Sequence, residues 1–349
     1  MNGLTDEQCG LRDAVATLLA KRSDGAAVRR AVEQPEGFDV DLWRVLAEQI
    51  GVAALAVPDR FGGVGAGPRD VQLVLEELGR TLTPSPLLGC LLATHLLLGL
   101  GGEDASRRLL PRIAEGVIVA VAWAGPDGRR ADIAVRNDRL TGSAHFVVDG
   151  DLADALLVVA DGAVYEVEPA AVERAHTPTM DLTRRMATVR LRDVQGTRIP
   201  GDGASALDAA LDAAVVGLAG EQVGTAARIL EMTVEYSLLR HQFGRPIGSF
   251  QALKHRMADL HVLLEAARSA AYAAAAGTLH PSVAKAYCSE ALSTIAGEAI
   301  QLHGGIAITW EHDAHLYFKR AHGSSALFGS PGEHLARLAE LAHDREEAG

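Results

Sequence analysis

Long alanine-rich helical segments in the last third of the chain constrain its fold more than any other feature. Residues 205–240 form one nearly unbroken segment without a proline, and residues 251–276 and 281–302 follow it with apolar side chains at helical spacing. A shorter helical segment covers residues 332–344. Long helices joined by short connections pack as antiparallel neighbours, and alanine lets them approach closely. We therefore predict a four-helix bundle over residues 201–349.

The first 115 residues also have helical patterns. Thr5 and Gln8 have the spacing of a capping box, and Asp39 can cap a helix that carries Leu42 and Leu46. Pro68 fits the first turn of a further helix. These patterns predict an N-terminal helical domain over residues 1–115.

Residues 116–200 have a different sequence pattern, which is typical of β-strands. Short apolar runs alternate with the Asp-Gly turns at 127–128, 149–150 and 161–162, as in a sheet of antiparallel strands. No helix-length pattern alternates with the strands, so a Rossmann domain is disfavoured. The predicted fold class is α+β, with a helical domain, a central antiparallel β domain and a C-terminal four-helix bundle.

Charge and cysteine usage exclude several classes of partner. The formal net charge of −12 repels phosphate backbones, so we expect no nucleic acid. Cys9, Cys90 and Cys288 are too few and too scattered for a disulfide framework, which fits a reducing cytoplasm. The N-terminus has no basic-then-apolar signal pattern, and the apolar run at 87–100 is too short to span a bilayer. We therefore expect a cytoplasmic protein that has no membrane partner.

One motif follows the first long helix. It runs from Tyr236 to Gln251 and contains Arg240, Phe243 and Gly244. A guanidinium can bind a diphosphate with two hydrogen bonds, an aromatic ring offers a stacking face, and glycine lets the chain turn close to a ligand. Taken singly, Arg240 and Phe243 would be a surface cation and a core aromatic.

A second motif ends the third long helix. Gln301 is followed after two residues by Gly304 and Gly305, which allow a positive φ and close backbone approach. A plain helix stop is the alternative interpretation. His303, His312 and His315 lie in and after this motif, but they have no neighbouring thiolate, so we predict no metal site.

Together these segments resemble the acyl-CoA dehydrogenases, and the resemblance covers nearly the whole chain. It implies an FAD cofactor that is approached by Arg240, Phe243 and Gln251, with Gln301, Gly304 and Gly305 contacting the FAD of a neighbouring subunit. It further implies an acyl-CoA or other acyl thioester as substrate, electron-transfer flavoprotein as electron acceptor, and a homo- or hetero-oligomer.

The β domain departs from the family pattern. Family members carry a W-I-T-like strand against the flavin ring, and the matching residues here are Phe146 and Val148. Valine packs but cannot donate a hydrogen bond. Flavin binding at this strand is therefore either weaker or carried by backbone amides.

The catalytic base also departs from the pattern. The family places a glutamate before a final glycine, where this chain has Phe328, or early in the first bundle helix, where it has Ala214. Asp212 lies near Ala214 but points to another helix face, whereas Glu221 is two turns along roughly the same face. Glu221 is the predicted in-chain base, with a capped or solvated helix carboxylate as the alternative.

Three functions remain open. The first is an FAD-dependent acyl-CoA dehydrogenase, either complete or as the base-lacking subunit of a heteromeric enzyme. The second is a flavin-dependent monooxygenase of the same fold, which needs no α-proton base. The third is a non-catalytic scaffold subunit that binds CoA esters.

Overall fold

A computed structural model describes residues 3–347, the last four by their backbone alone. Helices come first, a sheet follows, and long helices end the chain, which confirms the predicted fold class. The helices before the sheet are α1 (Asp6–Arg22), α2 (Gly25–Glu33), α3 (Val40–Arg44), α4 (Pro68–Thr81), α5 (Leu87–Leu100) and α6 (Glu103–Ala114).

The sheet is formed by β1 (Val119–Ala122), β2 (Ile133–Arg136), β3 (Arg139–Val148), β4 (Ala155–Ala160), β5 (Ala163–Val167), β6 (Glu173–His176) and β7 (Met186–Ile199). The strands lie in the order β1-β4-β5-β7-β3-β2, and β6 pairs with β7. All pairs are antiparallel as predicted except β1 with β4, which run parallel. A bulge in β3 between Ala144 and Val147 breaks its register with β7 and contains Phe146.

The remaining elements are α7 (Gly203–Leu239), the hairpin strands β8 (His241–Gln242) and β9 (Arg245–Pro246), α8 (Gln251–Ala275), α9 (Pro281–His303), α10 (Ala314–Ala326) and α11 (Pro331–Glu347). Helix α10 lies in a stretch that was not predicted as helix. Its sequence contains Gly323, Ser324 and Ser325, which favour helix formation only weakly. Packing against α9 stabilises it instead.

Two compact units divide the chain. The first contains residues up to Val15 together with Arg29–Val71 and Pro84–Ala214, and the second contains Ala16–Val28, Gln72–Thr83 and residues from Val215 onward. Helix α7 continues through the division without a break. The predicted boundaries at 115/116 and 200/201 fall in the connections α6–β1 and β7–α7.

The second unit has an alanine-rich core, formed by α7, α8, α9 and α10. Helices α4 and α7 approach so closely that a Cβ at Gly224 would overlap the carbonyl group of Glu76, and one at Gly79 would overlap that of Glu221. Small residues therefore set the helix spacing, as the alanine content predicted. By length and composition α7 could cross a bilayer, yet 61% of its most apolar window is buried inside the fold.

Local capping predictions are confirmed at two helix starts. The backbone amides of Thr5 and Gln8 each donate to the other residue's side chain at 3.2 Å, which is a complete capping box. The Asp39 carboxylate accepts from the Leu42 amide at 2.9 Å.

Candidate active site

The hairpin after α7 presents Phe243 to solvent in a strained conformation. Phe243 and Gly244 form its tip with φ angles of 54° and 77°, and the Phe243 side chain is 91% exposed. A bulky residue in the left-handed region is a backbone outlier, and such outliers cluster at ligand-binding sites. The ring of Phe243 meets that of Phe250 edge-on at 6.1 Å, and the Arg245 guanidinium lies 4.0 Å from the centre of the Phe250 ring.

Arg240 lies just beyond α7 and is exposed. Among the residues that the structure describes, its guanidinium makes no ion pair and no side-chain hydrogen bond. Its backbone carbonyl accepts from the Ile247 amide at 2.8 Å, which closes the base of the hairpin. The charge is therefore available for an anionic ligand.

The end of α9 lies beside the end of α7. The rings of Tyr236 and His303 stack with centroids 4.6 Å apart, and each residue lies within one of the two predicted cofactor motifs. Gly304 ends α9 with a φ of 68°, and no heavy atom lies within 4 Å of an added Cβ at Gly304 or Gly305. The structure thus brings the Arg240 and Gly304 motifs together within the second unit.

The remaining predicted contacts differ in their exposure. Gln251, at the start of α8, and Gln301, in the last turn of α9, both face solvent. His303 is buried, and its Nδ1 lies 2.8 Å from the carbonyl oxygen of Ala299, while its ring centroid is 4.6 Å from that of His312. No group of three or more His, Cys, Asp or Glu side chains is arranged to hold a metal ion within the described part of the chain.

The strand expected to face a flavin lies in the first unit. Phe146 occupies the β3 bulge with a φ of 54° and is 42% exposed, whereas Val148 is buried. Asp149 follows with a φ of 53°, and its buried Oδ2 has no hydrogen-bond partner among the described residues. Burial raises the pKa of Asp149 to about 7, although the positive charge of Arg184 opposes this.

The residues at the ends of α7 and α9 fit FAD better than those of the β3 strand do. Arg240, Phe243 and the two glycines offer a phosphate-binding charge, a stacking ring and open backbone. The strand at Val148 offers no hydroxyl group where the family has one. The residues that fit are those that the resemblance assigns to the cofactor's phosphate and adenine end or to a neighbouring subunit's FAD.

No carboxylate stands at either position that the resemblance assigns to the base. Phe328 follows α10 with a φ of 59° and is buried, and its carbonyl oxygen lies 3.0 Å from His334 Nε2. Ala214 is fully buried in α7. The carboxylate of Glu221 is buried and lies 2.7 Å from Arg320 Nη1, so it is engaged in an ion pair with α10.

Sequence reasoning missed a cluster of buried polar residues in α9 that includes the contact of Lys285 with the end of α10. Lys285 in α9 is fully buried, and burial lowers its pKa to about 7. Ser282 and Ser289 lie on the same face of α9, three residues before and four residues after it. Polar residues at helical spacing on an otherwise apolar face are the signal that could have revealed this cluster.

Comparisons with known proteins agree with this layout. The family model described as acyl-CoA dehydrogenase, N-terminal domain, matches residues 5–117, and that described as acyl-CoA dehydrogenase, C-terminal domain, matches residues 201–342. The chain is 43% identical to the acyl-CoA dehydrogenase IpdE2 of Mycolicibacterium smegmatis over 345 residues, which cover 96% of this chain and 98% of that protein.

Two solved structures of protein complexes have the same fold. One is the ChsE4–ChsE5 complex from Mycobacterium tuberculosis, with 28% identity, a TM-score of 0.87 and coverage of 98% of this chain and 99% of the matched chain. The other is a variant of the Tcur3481–Tcur3483 steroid ACAD, with 27% identity, a TM-score of 0.88 and the same coverage of both chains.

Proposed function

The chain belongs to the acyl-CoA dehydrogenase family of flavin-dependent oxidoreductases, and from this premise we propose that it is the base-lacking subunit of a heteromeric enzyme. The proposed reaction is α,β-desaturation of an acyl thioester. One observation carries the proposal. The site residues that fit a cofactor, Arg240, Phe243, Gly304 and Gly305, are present, whereas Phe328 and Ala214 stand at both base positions.

The reaction requires a carboxylate beside the α-carbon of the substrate, with a pKa raised by a desolvated pocket. FAD, when bound, accepts the β-hydride. Phe328 cannot accept a proton, and Glu221 is paired with Arg320. We therefore assign the base to an unlike partner subunit of the same family, and Glu221 remains the in-chain candidate that mutation tests.

In this arrangement the chain supplies contacts to the cofactor, and the partner subunit supplies the base that accepts the substrate proton. Arg240 would hold the diphosphate, Phe243 would stack against the cofactor, and the backbone at Gly304 and Gly305 would allow its close approach. Gln251, at the start of α8, and Gln301, near the end of α9, would add polar contacts. Since Val148 lacks the hydroxyl group expected on the flavin strand, this strand should bind a flavin ring only weakly. We therefore expect one tightly bound FAD for each pair of unlike chains, with its flavin ring against the partner's strand.

Membership of the family suggests the class of substrate, an acyl thioester, and the electron acceptor. We place steroid-derived acyl thioesters first, because one relative of known structure is described as a steroid ACAD. Electron-transfer flavoprotein is the proposed electron acceptor. The proposed location is the cytoplasm, which agrees with three cysteines that are all free in the described residues.

Purification with and without the protein encoded beside this chain tests the proposal. We expect the chain alone to be colourless and inactive, and the complex to be yellow and to bleach anaerobically with an acyl-CoA panel that includes steroid side-chain thioesters. Bleaching and turnover by the chain alone would contradict the base-lacking role.

The alternatives give different outcomes in the same experiment. A flavin-dependent monooxygenase, favoured only by the missing base, would bind flavin but would not bleach with acyl-CoA. A scaffold subunit would remain without flavin both alone and in the complex.

A further inference from the structure

The end of α10 and the turn after it are held at three backbone carbonyls by buried side chains from α9 and α11. Lys285 Nζ donates to the carbonyl oxygens of Ser324 and Ser325 at 3.0 and 2.8 Å, and to Ser289 Oγ at 3.0 Å. His334 Nε2 lies 3.0 Å from the carbonyl oxygen of Phe328. All of these residues belong to the second unit.

The partners of His334 determine which ring nitrogen carries the proton. A carbonyl oxygen can only accept, so Nε2–H donates to Phe328. In the neutral ring Nδ1 is then the acceptor, and Ser282 Oγ lies 3.0 Å from it. Ser282 is fully buried and His334 nearly so. Ser282, His334 and the Phe328 carbonyl therefore form one continuous hydrogen-bonded chain.

Both residues of the turn have left-handed backbone conformations. Phe328 has a φ of 59° and Gly329 a φ of 103°. A Cβ at Gly329 would lie 3.0 Å from His334 Nε2, so the imidazole packs directly against the turn. Glycine tolerates such angles, but phenylalanine adopts them only when its surroundings compel it.

The lysine alone would be an ordinary helix cap. A lysine side chain that donates hydrogen bonds to the last carbonyls of a helix is a common C-terminal cap. The contact from His334 lies beyond the helix end, at the carbonyl of the strained residue itself. This second contact fixes the position of Phe328 and not merely the end of α10.

We propose that Ser282, Lys285 and His334 are positioning residues that hold position 328 in a fixed left-handed conformation. They set the orientation of the side chain that stands at the base position, and in this chain that side chain is Phe328. The backbone at this position is thus held in place although the side chain there cannot act as a base. The proposal rests on the proposed function only in taking position 328 as the base position.

Hydrogen exchange of the full chain, followed by mass spectrometry of peptides from residues 321–333, tests this inference. Two amides report on the turn: that of Leu327, which donates to the carbonyl oxygen of Gly323, and that of Ser330, which donates to Glu333 Oε2. In His334→Ala we expect both to exchange about tenfold faster, as loss of one buried hydrogen bond implies. His334→Gln, which can still donate, should restore slow exchange.

A double-mutant cycle separates positioning from general stability. Glycine adopts the angles of position 328 without strain, so His334→Ala should accelerate exchange much less in the Phe328→Gly background. His343→Ala is the matched control, because His343 is exposed on the same helix. Equal acceleration in both backgrounds, or exchange in His334→Ala that equals the His343→Ala control, would overturn the proposal.

Ser282→Ala provides a second variant in case His334→Ala does not fold. It removes only the hydroxyl that orients the imidazole, so we expect faster exchange at the same two amides and unchanged exchange in α8. Exchange in Ser282→Ala that equals the unmodified chain would also overturn the proposal. A complex without flavin would contradict the proposed function but would leave these exchange results unaffected.

Discussion

Glu221 of α7 and Arg320 of α10 form a buried ion pair, with Oε1 and Nη1 2.7 Å apart and side-chain exposures of 6% and 2%. The pair joins two helices of the alanine-rich core. Desolvation makes such a pair costly to form, and removal of one partner leaves an uncompensated buried charge. The same carboxylate is the predicted in-chain base, so its two roles can be separated by mutation.

Glu221→Gln should destabilise the chain by roughly 3–5 kcal/mol, because it removes one charge of a buried ion pair whose partners lie 2.7 Å apart. The double variant Glu221→Gln with Arg320→Met should recover most of this loss, since both charges of the pair are then removed. Urea unfolding of the variants measures both effects. Glu235→Gln is the control, because Glu235 is exposed on the same helix.

In the complex, the folded double variant should still bleach with substrate, because the proposed base belongs to the partner subunit. Loss of bleaching at full flavin content would instead assign the base to Glu221. Anaerobic titration with acyl-CoA distinguishes these outcomes.

Arg240→Ala should weaken FAD binding to the complex by about 10- to 100-fold, since it removes a charge-assisted phosphate contact. The stability of the chain without flavin should not change, because the guanidinium is exposed and has no ion pair among the described residues. Flavin release during dialysis measures the affinity. Arg228→Ala provides the control, because Arg228 lies on α7 in a half-exposed ion-pair network.

Phe243→Gly should separate chain stability from cofactor binding. Glycine removes the strain at a φ of 54°, so the unfolding free energy should stay constant or rise by up to about 1 kcal/mol. Flavin retention in the complex should fall, because the exposed ring is lost. Phe250→Leu, at the ring that packs against Phe243, controls for general loss of hairpin packing. Unchanged flavin retention in Phe243→Gly would argue against a stacking role.

Asp149→Asn should change the pH dependence of stability. The folded state holds a proton on Asp149 up to a pH of about 7, whereas an unfolded aspartate releases it near its usual pKa of about 4. Between these values the folded state binds more protons, so the unfolding free energy of the unmodified chain falls as pH rises. An asparagine at this position has no proton to release, so the unfolding free energy of the variant lacks this fall. Relative to the unmodified chain, it should rise by up to roughly 4 kcal/mol between pH 4 and 7.

Urea unfolding at several pH values measures the difference in unfolding free energy between the variant and the unmodified chain. This difference should be constant above a pH of about 7. Asp161→Asn controls for the backbone, because Asp161 has the same φ of 53° but is exposed. A constant difference between Asp149→Asn and the unmodified chain from pH 4 to 8 would contradict the burial effect.

The fold could be predicted from local signals in the sequence. Helix α7 was predicted over 205–240 and spans Gly203–Leu239, and the third long helix was predicted over 281–302 and spans Pro281–His303. These helices have apolar or alanine-rich sequences without internal breaks. The parallel pairing of β1 with β4 could not be predicted, because strand direction depends on contacts between distant segments.

The candidate site was only partly predictable. The motifs at Arg240 and Gly304 could be recognised from their spacing, and the stack of Tyr236 on His303 brings them together, while their cofactor role stays a prediction. The ion pair of Glu221 with Arg320 could not be predicted, because 99 residues separate its partners. The same applies to the contact of Lys285 with the end of α10, which depends on helix packing rather than sequence spacing.

The backbone positions of Phe146, Phe243 and Phe328 share an uncommon property. Each has a φ between 54° and 59°, where asparagine or glycine is the less costly residue. Replacement of each ring by glycine would relax the local backbone. These three positions are therefore suitable starting points for libraries that seek altered cofactor or partner preference in this subunit.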